Sequence, residues 1–212
     1  MNAAATGSLI LTGGSLTLNG ANTYTGSTTL NGGTLLLGNS LAIQDSVLTP
    51  NGGALSFGNL TAATIGGFAG TGNLQLDNAQ GNPVTLTIGS TNGTAYGALT
   101  GNGSVIKYGS GTEYLLGGNS YTGSTTIYQG GLVIGGTSAI FPNGGNFDMT
   151  GSQGTTGGLS DSLVFQDNAV METLGNILLS SNDGQSTANF PGPATLMVTG
   201  SATVLVLSLI HI

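Results

Sequence analysis

Residues 20–38 read GANTYTGSTTLNGGTLLLG, and residues 117–135 read GGNSYTGSTTIYQGGLVIG. Eleven of the nineteen aligned positions are identical, and the two copies lie 97 residues apart. The correspondence continues as far as Ile43 and Ile140. A sequence that repeats itself at a fixed distance is typical of proteins that stack one structural unit on the next. The duplicated stretch therefore predicts a repeat architecture.

A shorter period runs beneath the 97-residue repeat. Apolar residues two positions apart, which indicate half-buried strands, recur every 19 or 20 residues. The pairs are Leu16/Leu18, Leu35/Leu37, Leu55/Phe57 and Leu74/Leu76. The same 19-residue step separates Leu86 from Val105 and Ile177 from Leu196. This spacing predicts coils of about 19–20 residues, five of which make up the 97-residue unit.

An all-β solenoid accounts for both periods. Each coil would contribute short strands that pair in parallel with those of the next coil, ~4.8 Å away. Leu and Val would point inward and form aliphatic columns, whereas Thr, Ser and Asn would point outward. Glycine would occupy the corners, since it adopts the positive φ that tight turns require. The predicted turns are Asn31-Gly32-Gly33, Asn51-Gly52-Gly53 and Asn143-Gly144-Gly145.

The octets NTYTGSTT and NSYTGSTT within the two copies are interpreted as one corner followed by one strand of a coil. Tyr24 and Tyr121 would pack against the turn, and Gly26 and Gly123 would allow the chain to bend. The threonines would extend the outer strand. The alternative is a ligand-binding patch, but a recurring binding motif normally carries aromatic or charged anchors.

The composition excludes several classes of protein. Only 4% of the 212 residues are charged, the net charge is −7, and Lys107 is the only Lys or Arg. Binding to nucleic acid or to anionic lipid requires several basic residues, so neither is expected. The 40 glycines do not follow the collagen period, and a hydrophobic content of 38% argues against disorder. No segment has the ~20 consecutive apolar residues of a membrane helix.

Features of the two ends bear on export. The absence of cysteine fits a protein exported from a bacterial cell. The stretch MNAAATGSLIL lacks the basic and apolar regions of a secretory signal, so we expect a signal outside this chain or another export route. Residues 207–212, LSLIHI, resemble a translated sequencing adaptor and are predicted to be non-native. His211, the only histidine, is therefore assigned no function.

The two copies closely resemble the autotransporter-associated beta strand repeat of bacterial surface proteins. The segment GSVIKYGSGTEYLLGGNSYTG, residues 103–123, is similar to the stretch that leads into that repeat, with Lys107 where the family commonly has lysine. The resemblance implies a right-handed parallel β-helix in a secreted or surface-displayed, passenger-type protein, with the repeat as a stalk element. Glu113 stands where the first copy has Leu16, so one inward position is expected to be polar or shifted.

The predicted organisation is one parallel β-helix region over residues 1–206, followed by the tail. Repeat copies are expected near 9–43 and 103–140, spacer coils at 44–102, and degenerate coils at 141–206.

A carbohydrate-active enzyme is the alternative, because parallel β-helices also occur as polysaccharide lyases and glycoside hydrolases. Such sites need paired carboxylates about 5–10 Å apart. Asp148 and Asp167 lie 19 residues apart and could be neighbours in adjacent coils, as could Asp161 and Asp183. Nothing basic or aromatic clusters with these acids, so they are interpreted as solvated loop residues. The remaining acids are Asp45, Asp77, Glu113 and Glu172.

Other chemistry has little support in the sequence. Cysteine is absent, no zinc ligand set is present, and the sequence before Asp148 departs from the calcium-binding repeat motif. We therefore predict no catalytic, cofactor-binding or metal-ligating residues, no cofactor and no catalysis. Thr-rich faces could bind ice or glycans, but the Thr-x-Thr triplets at Thr23/Thr25 and Thr85/Thr87 do not recur in every coil.

The sequence thus predicts a structural stalk or scaffold of a bacterial surface protein, with adhesion as a candidate role. The expected partners are cell-surface glycans or other surface proteins. The expected location is extracellular or at the cell surface, with the outer membrane reached through a region outside this chain.

Overall fold

The computed structural model describes residues 6–89 and 91–135 in full, together with the backbone of eight strands between residues 139 and 207. Every regular element in these described residues is a β-strand. The strands described in full are β1 (Leu9–Leu18), β2 (Thr28–Leu37), β3 (Ile43–Pro50), β4 (Ala54–Ser56), β5 (Ala62–Phe68), β6 (Leu74–Gln75), β7 (Thr85–Ile88), β8 (Gly93–Ala95), β9 (Leu99–Thr100), β10 (Ser104–Lys107), β11 (Thr112–Leu115), β12 (Thr125–Ile127) and β13 (Gly131–Ile134). The strands described by their backbone are β14 (Ala139–Ile140), β15 (Phe147–Met149), β16 (Ser162–Phe165), β17 (Val170–Thr173), β18 (Ile177–Ser180), β19 (Thr187–Asn189), β20 (Thr195–Val198) and β21 (Val204–Leu207).

The strands form a parallel β-solenoid. One long sheet contains, in spatial order, β1, β2, β3, β5, β7, β10, β12, β15, β18 and β21, and β4 also pairs with β2. A second sheet contains β8, β11, β13, β16 and β19, and two smaller sheets contain β6 with β9 and β14 with β17 and β20. All pairings between these strands are parallel. The chain repeatedly leaves a sheet and returns one coil later beside its previous strand, so the predicted solenoid is confirmed.

The coil length matches the prediction within the repeats. Leu16 pairs with Leu35, Leu35 with Leu55, and Leu86 with Val105, which are steps of 19 or 20 residues. Five steps along the long sheet, from β2 to β12, separate the two copies. The prediction that five coils make the 97-residue unit is therefore confirmed.

Some coils are longer than predicted. Leu74 pairs with Leu99 and not with Leu55, and the longer coil accommodates a loop that an antiparallel bridge between Asp77 and Pro83 closes. The predicted alignment of Ile177 with Leu196 is also wrong, because Ile177 pairs with Val204. Parallel pairing fixes the register of the strands but leaves the length of each corner free, and extra loop residues cost little entropy.

Buried side chains line the interior in columns that run from coil to coil. The isoleucine column, as we name it, consists of Ile43, Ile65, Ile88, Lys107 and Ile127, which strand register aligns in successive coils. All five side chains are at most 1% exposed. Burying one isoleucine side chain contributes about 1.5–3 kcal/mol, so the stacked column stabilises the winding.

The expectation that Thr, Ser and Asn point outward is wrong at several positions. Thr28, Ser46, Asn119 and Thr125 are buried. Each forms hydrogen bonds inside the rod, which offsets the cost of removing its polar group from water.

Glycine forms the predicted corners. Gly33 has φ 75° and Gly130, its equivalent in the second copy, has φ 83°. Gly52 in the second predicted turn has φ 139°. These values lie in the region that L-residues rarely adopt, so the two copies turn by the same means. The third predicted turn, residues 143–145, lies outside the described residues.

The predicted division of the chain stays a prediction. Strand β21 ends at Leu207, the first residue of the predicted tail. Residues 208–212, which include His211, lie outside the described residues.

Candidate functional site

The octet builds the same corner in both copies. The Tyr24 hydroxyl lies 2.6 Å from Thr28 Oγ1, and the Tyr121 hydroxyl lies 2.6 Å from Thr125 Oγ1. The tyrosines therefore pack against the turn as predicted. Their threonine partners begin the following strand with their side chains inside the rod, not on the outer surface.

The asparagine that opens each octet also has the same role in both copies. Asn22 Nδ2 donates to the Gly20 carbonyl at 3.2 Å, and Asn119 Nδ2 donates to the Gly117 carbonyl at 3.0 Å. Asn119 Oδ1 additionally accepts the Leu99 N–H group of the preceding coil at 2.9 Å. Such side-chain bonds to the backbone stabilise a turn, which supports the structural interpretation of the octet.

The glycine inside each octet lies at a bend, as predicted, and has a second role that the sequence did not reveal. A Cβ atom at Gly26 would collide with the Gly7 carbonyl, and one at Gly123 would collide with the Gly103 carbonyl. The preceding coil thus passes directly against each glycine. A bend alone would have tolerated other residues, whereas this close approach does not.

Lys107 occupies an interior position instead of the solvated position usual for lysine. Its side chain is fully buried in the isoleucine column. The ammonium group donates to the carbonyls of Gly89, Tyr108 and Gly109 at 2.9, 3.2 and 2.8 Å. Three acceptors match the three donors of an ammonium group, so the charge is well solvated by backbone dipoles.

Glu113 is buried in the second sheet, where its strand register aligns it with Gly93 and Leu132. The expected polar inward position is therefore confirmed. Its Oε2 atom accepts the Phe68 N–H group at 3.2 Å, and Oε1 has no hydrogen-bond partner in the described part of the chain. Burial raises the pKa of Glu113 to about 8, against the opposing effects of the Phe68 N–H group and the Lys107 charge.

The predicted carboxylate pairs do not form as expected where the structure describes them. The strand partner of Asp148 in the following coil is Leu178, so its predicted alignment with a residue 19 positions on is wrong. Asp161, Asp167 and Asp183 lie outside the described residues. Asp77 accepts hydrogen bonds from the Asn102 backbone and side chain, both at 3.1 Å.

Metal and membrane sites were also sought. In residues 6–89 and 91–135, no group of three His, Cys, Asp or Glu side chains could hold a metal ion. The described elements are all strands, so no helix among them could cross a membrane.

Four tyrosines on the outside of the rod were missed at the sequence level. Tyr96, Tyr108, Tyr114 and Tyr128 are 63%, 59%, 39% and 41% exposed. The signal for them was present, because Tyr108 and Tyr114 each adjoin an inward residue and alternation places them outside. An outward tyrosine offers a large amphipathic surface to a partner.

Comparison with known proteins gives two matches. Residues 13–37 and 105–134 match the profile of the passenger-associated-transport-repeat family. Over 169 residues, or 73% of this chain, the sequence is 32% identical to the adhesin BmaC autotransporter of Brucella suis biovar 1 (strain 1330). This chain spans only 5% of the length of that relative. No solved structure matches the chain.

Proposed function

Because the chain is a repeat protein of the autotransporter passenger type, we propose that it forms one section of a rigid stalk displayed outside the cell. The stalk projects or presents other parts of a longer polypeptide and takes part in adhesion. The adhesin relative supports the adhesive role, and the repeat family supports display through an outer-membrane transporter.

The observation that carries the proposal is the unbroken parallel stacking through both copies. Seven strands follow one another in the long sheet from β1 to β12. Six steps of ~4.8 Å give about 29 Å of continuous rod. Each coil is covered by its neighbours, so the rod resists bending and local opening along its length.

The enzyme alternative has no specific observation in its favour. The two matches are to a passenger repeat and an adhesin, and the one deeply buried carboxyl in the described coils, Glu113, faces the interior. We therefore infer a mechanical role without catalysis.

Limited proteolysis of the full chain with proteinase K tests the stalk. We expect a protected fragment that retains β1 to β13, because proteases need an opened backbone. Leu35→Asp serves as the comparison, since it places a charge in a fully buried position. Cleavage of the wild-type chain within its strands as fast as in Leu35→Asp would contradict a rigid rod.

A further inference from the structure

A shallow groove of about 380 Å³ lies beside Tyr108 on the outside of the rod. We propose that this groove binds a linear, uncharged saccharide chain, a proposal that rests on the proposed display of the rod at the cell surface. Its lining combines one aromatic ring with amide, hydroxyl and carboxylate groups drawn from several coils. A few fixed polar groups beside aromatic surface are typical of small-molecule sites, and the volume falls within their usual range.

The groove follows one outer row of the solenoid. The row contains the residues that come directly after each member of the isoleucine column: Gln44, Gly66, Gly89, Tyr108 and Tyr128. Two adjacent glycines remove side chains from the middle of the row and leave a depression between Gln44 and Tyr108. Four coil steps of ~4.8 Å make the row about 19 Å long. A depression of this shape suits an extended chain better than a single sugar.

The aromatic end of the row offers a stacking surface. Tyr108 and Tyr128 occupy equivalent positions in adjacent coils and are both largely exposed. The electron-rich face of a tyrosine ring attracts the weakly positive C–H groups on one face of a hexose. The other two tyrosines, Tyr24 and Tyr121, are committed to the corners by their threonine bonds.

Polar groups around the rings match the hydroxyl groups of a sugar. Gln44 and Gln129 contribute amides, and Thr64 and Ser110 contribute hydroxyls, to the lining. Each of these groups can both donate and accept hydrogen bonds, as sugar hydroxyls also do.

The charge of the groove selects against ionic ligands. Asp45 is the one charged side chain in its lining. The sole lysine, Lys107, is buried below the surface and directed at carbonyl groups. An anionic glycan would therefore meet a carboxylate without an accessible cation, which disfavours its binding.

The floor of the groove is held in place from inside the rod. The three carbonyls that accept hydrogen bonds from Lys107 belong to Gly89, Tyr108 and Gly109, which all line the groove. A site whose backbone is fixed before binding loses less conformational freedom when the ligand arrives. The buried ammonium thus positions the surface on which the saccharide would lie.

The test is equilibrium binding of neutral hexasaccharides of glucose, mannose, galactose and N-acetylglucosamine to the full chain. The chain has no tryptophan, so tyrosine fluorescence reports on the groove directly, and isothermal titration provides a second measure. We expect at least one hexasaccharide to bind and Tyr108→Ala to weaken it about tenfold or more. Gln44→Ala should weaken it severalfold.

Tyr96→Ala is the matched control, because Tyr96 is equally exposed but does not line the groove. We expect this variant to change the affinity by less than about twofold. An equal loss in both tyrosine variants would overturn the proposal, as would the absence of binding by every hexasaccharide. Tighter binding of a sulfated counterpart, or self-association that depends on Tyr108, would also overturn it. A chain that binds no saccharide but stays protected from proteinase K would leave the stalk standing.

Discussion

The two copies of the repeat share their local hydrogen bonds but differ in how deeply they are buried. The tyrosine-to-threonine distance is 2.6 Å in each. Tyr121 is fully buried, whereas Tyr24 is half-buried. The geometry of the corner is therefore encoded within the octet itself, but its burial depends on the coils that lie on either side.

The coils that lead into the two copies differ further in their interior. Strand register makes Leu11 the equivalent of Lys107 and Leu16 the equivalent of Glu113. The same two inward positions are thus aliphatic in one coil and ionisable in the other. The solenoid accommodates both because backbone groups, the carbonyls around Lys107 and the Phe68 N–H group at Glu113, provide polar partners inside the rod.

The largest expected difference between the copies is a pH dependence from Glu113. Its pKa is about 8 in the folded chain, against an ordinary value of 4.5, so the folded state retains the proton across this range. Stability from this group is complete below about pH 4.5 and is lost as the pH rises towards 8. At 1.36 kcal/mol for each pH unit, the loss approaches about 4 kcal/mol. Urea unfolding between pH 4.5 and 8 measures it.

Glu113→Leu provides the control for the pH experiment, because it gives the second copy the residue that the first copy has. We expect the variant to lose most of the decline in stability with pH. A variant that declines as steeply as the wild type would show that other carboxyl groups are responsible.

The octet glycines should give the next largest difference. Gly123→Ala would press a methyl group against the buried Gly103, whereas Gly26→Ala would press one against the exposed Gly7, which has room to move. We expect destabilisation of about 3 kcal/mol for Gly123→Ala and about 1 kcal/mol for Gly26→Ala, by thermal unfolding. Equal losses would mean that the two corners are held with the same rigidity.

The smallest effect should come from the tyrosine hydroxyls. Tyr121→Phe leaves the Thr125 hydroxyl without its partner in a fully buried corner, so a loss of about 1.5 kcal/mol is expected. Tyr24→Phe should cost about 0.5 kcal/mol, because Tyr24 is only half-buried and Thr28 also bonds to Ser46 at 2.8 Å. A larger loss at Tyr24 would place the greater stress on the outer corner.

The sequence sufficed for the winding because the period of the apolar residues and the period of the coils are the same physical quantity. Leu16, Leu35 and Leu55 align as their spacing predicts. The same reasoning failed at Leu74, since a loop at one corner adds residues that leave no trace in the pattern of the strands. Period counting therefore holds only where no corner is extended.

The polar interior was beyond the reach of pattern reasoning. Glu113 could be assigned an inward position from the alignment of the copies, but its hydrogen bond to Phe68 joins residues 45 positions apart. The contact of Gly123 with the preceding coil likewise depends on the distance between backbones, which sequence spacing does not encode. The outward tyrosines were predictable from alternation, yet their alignment into one row required the register.

The shared register of the two copies has a consequence for how the gene can change. Recombination between the octets would delete or duplicate 97 residues and still join a corner to an equivalent strand, with every aliphatic column continuous across the junction. Each such event would shorten or lengthen the rod by five coils, about 24 Å. The reach of the molecule can thus evolve in fixed increments while its cross-section stays constant.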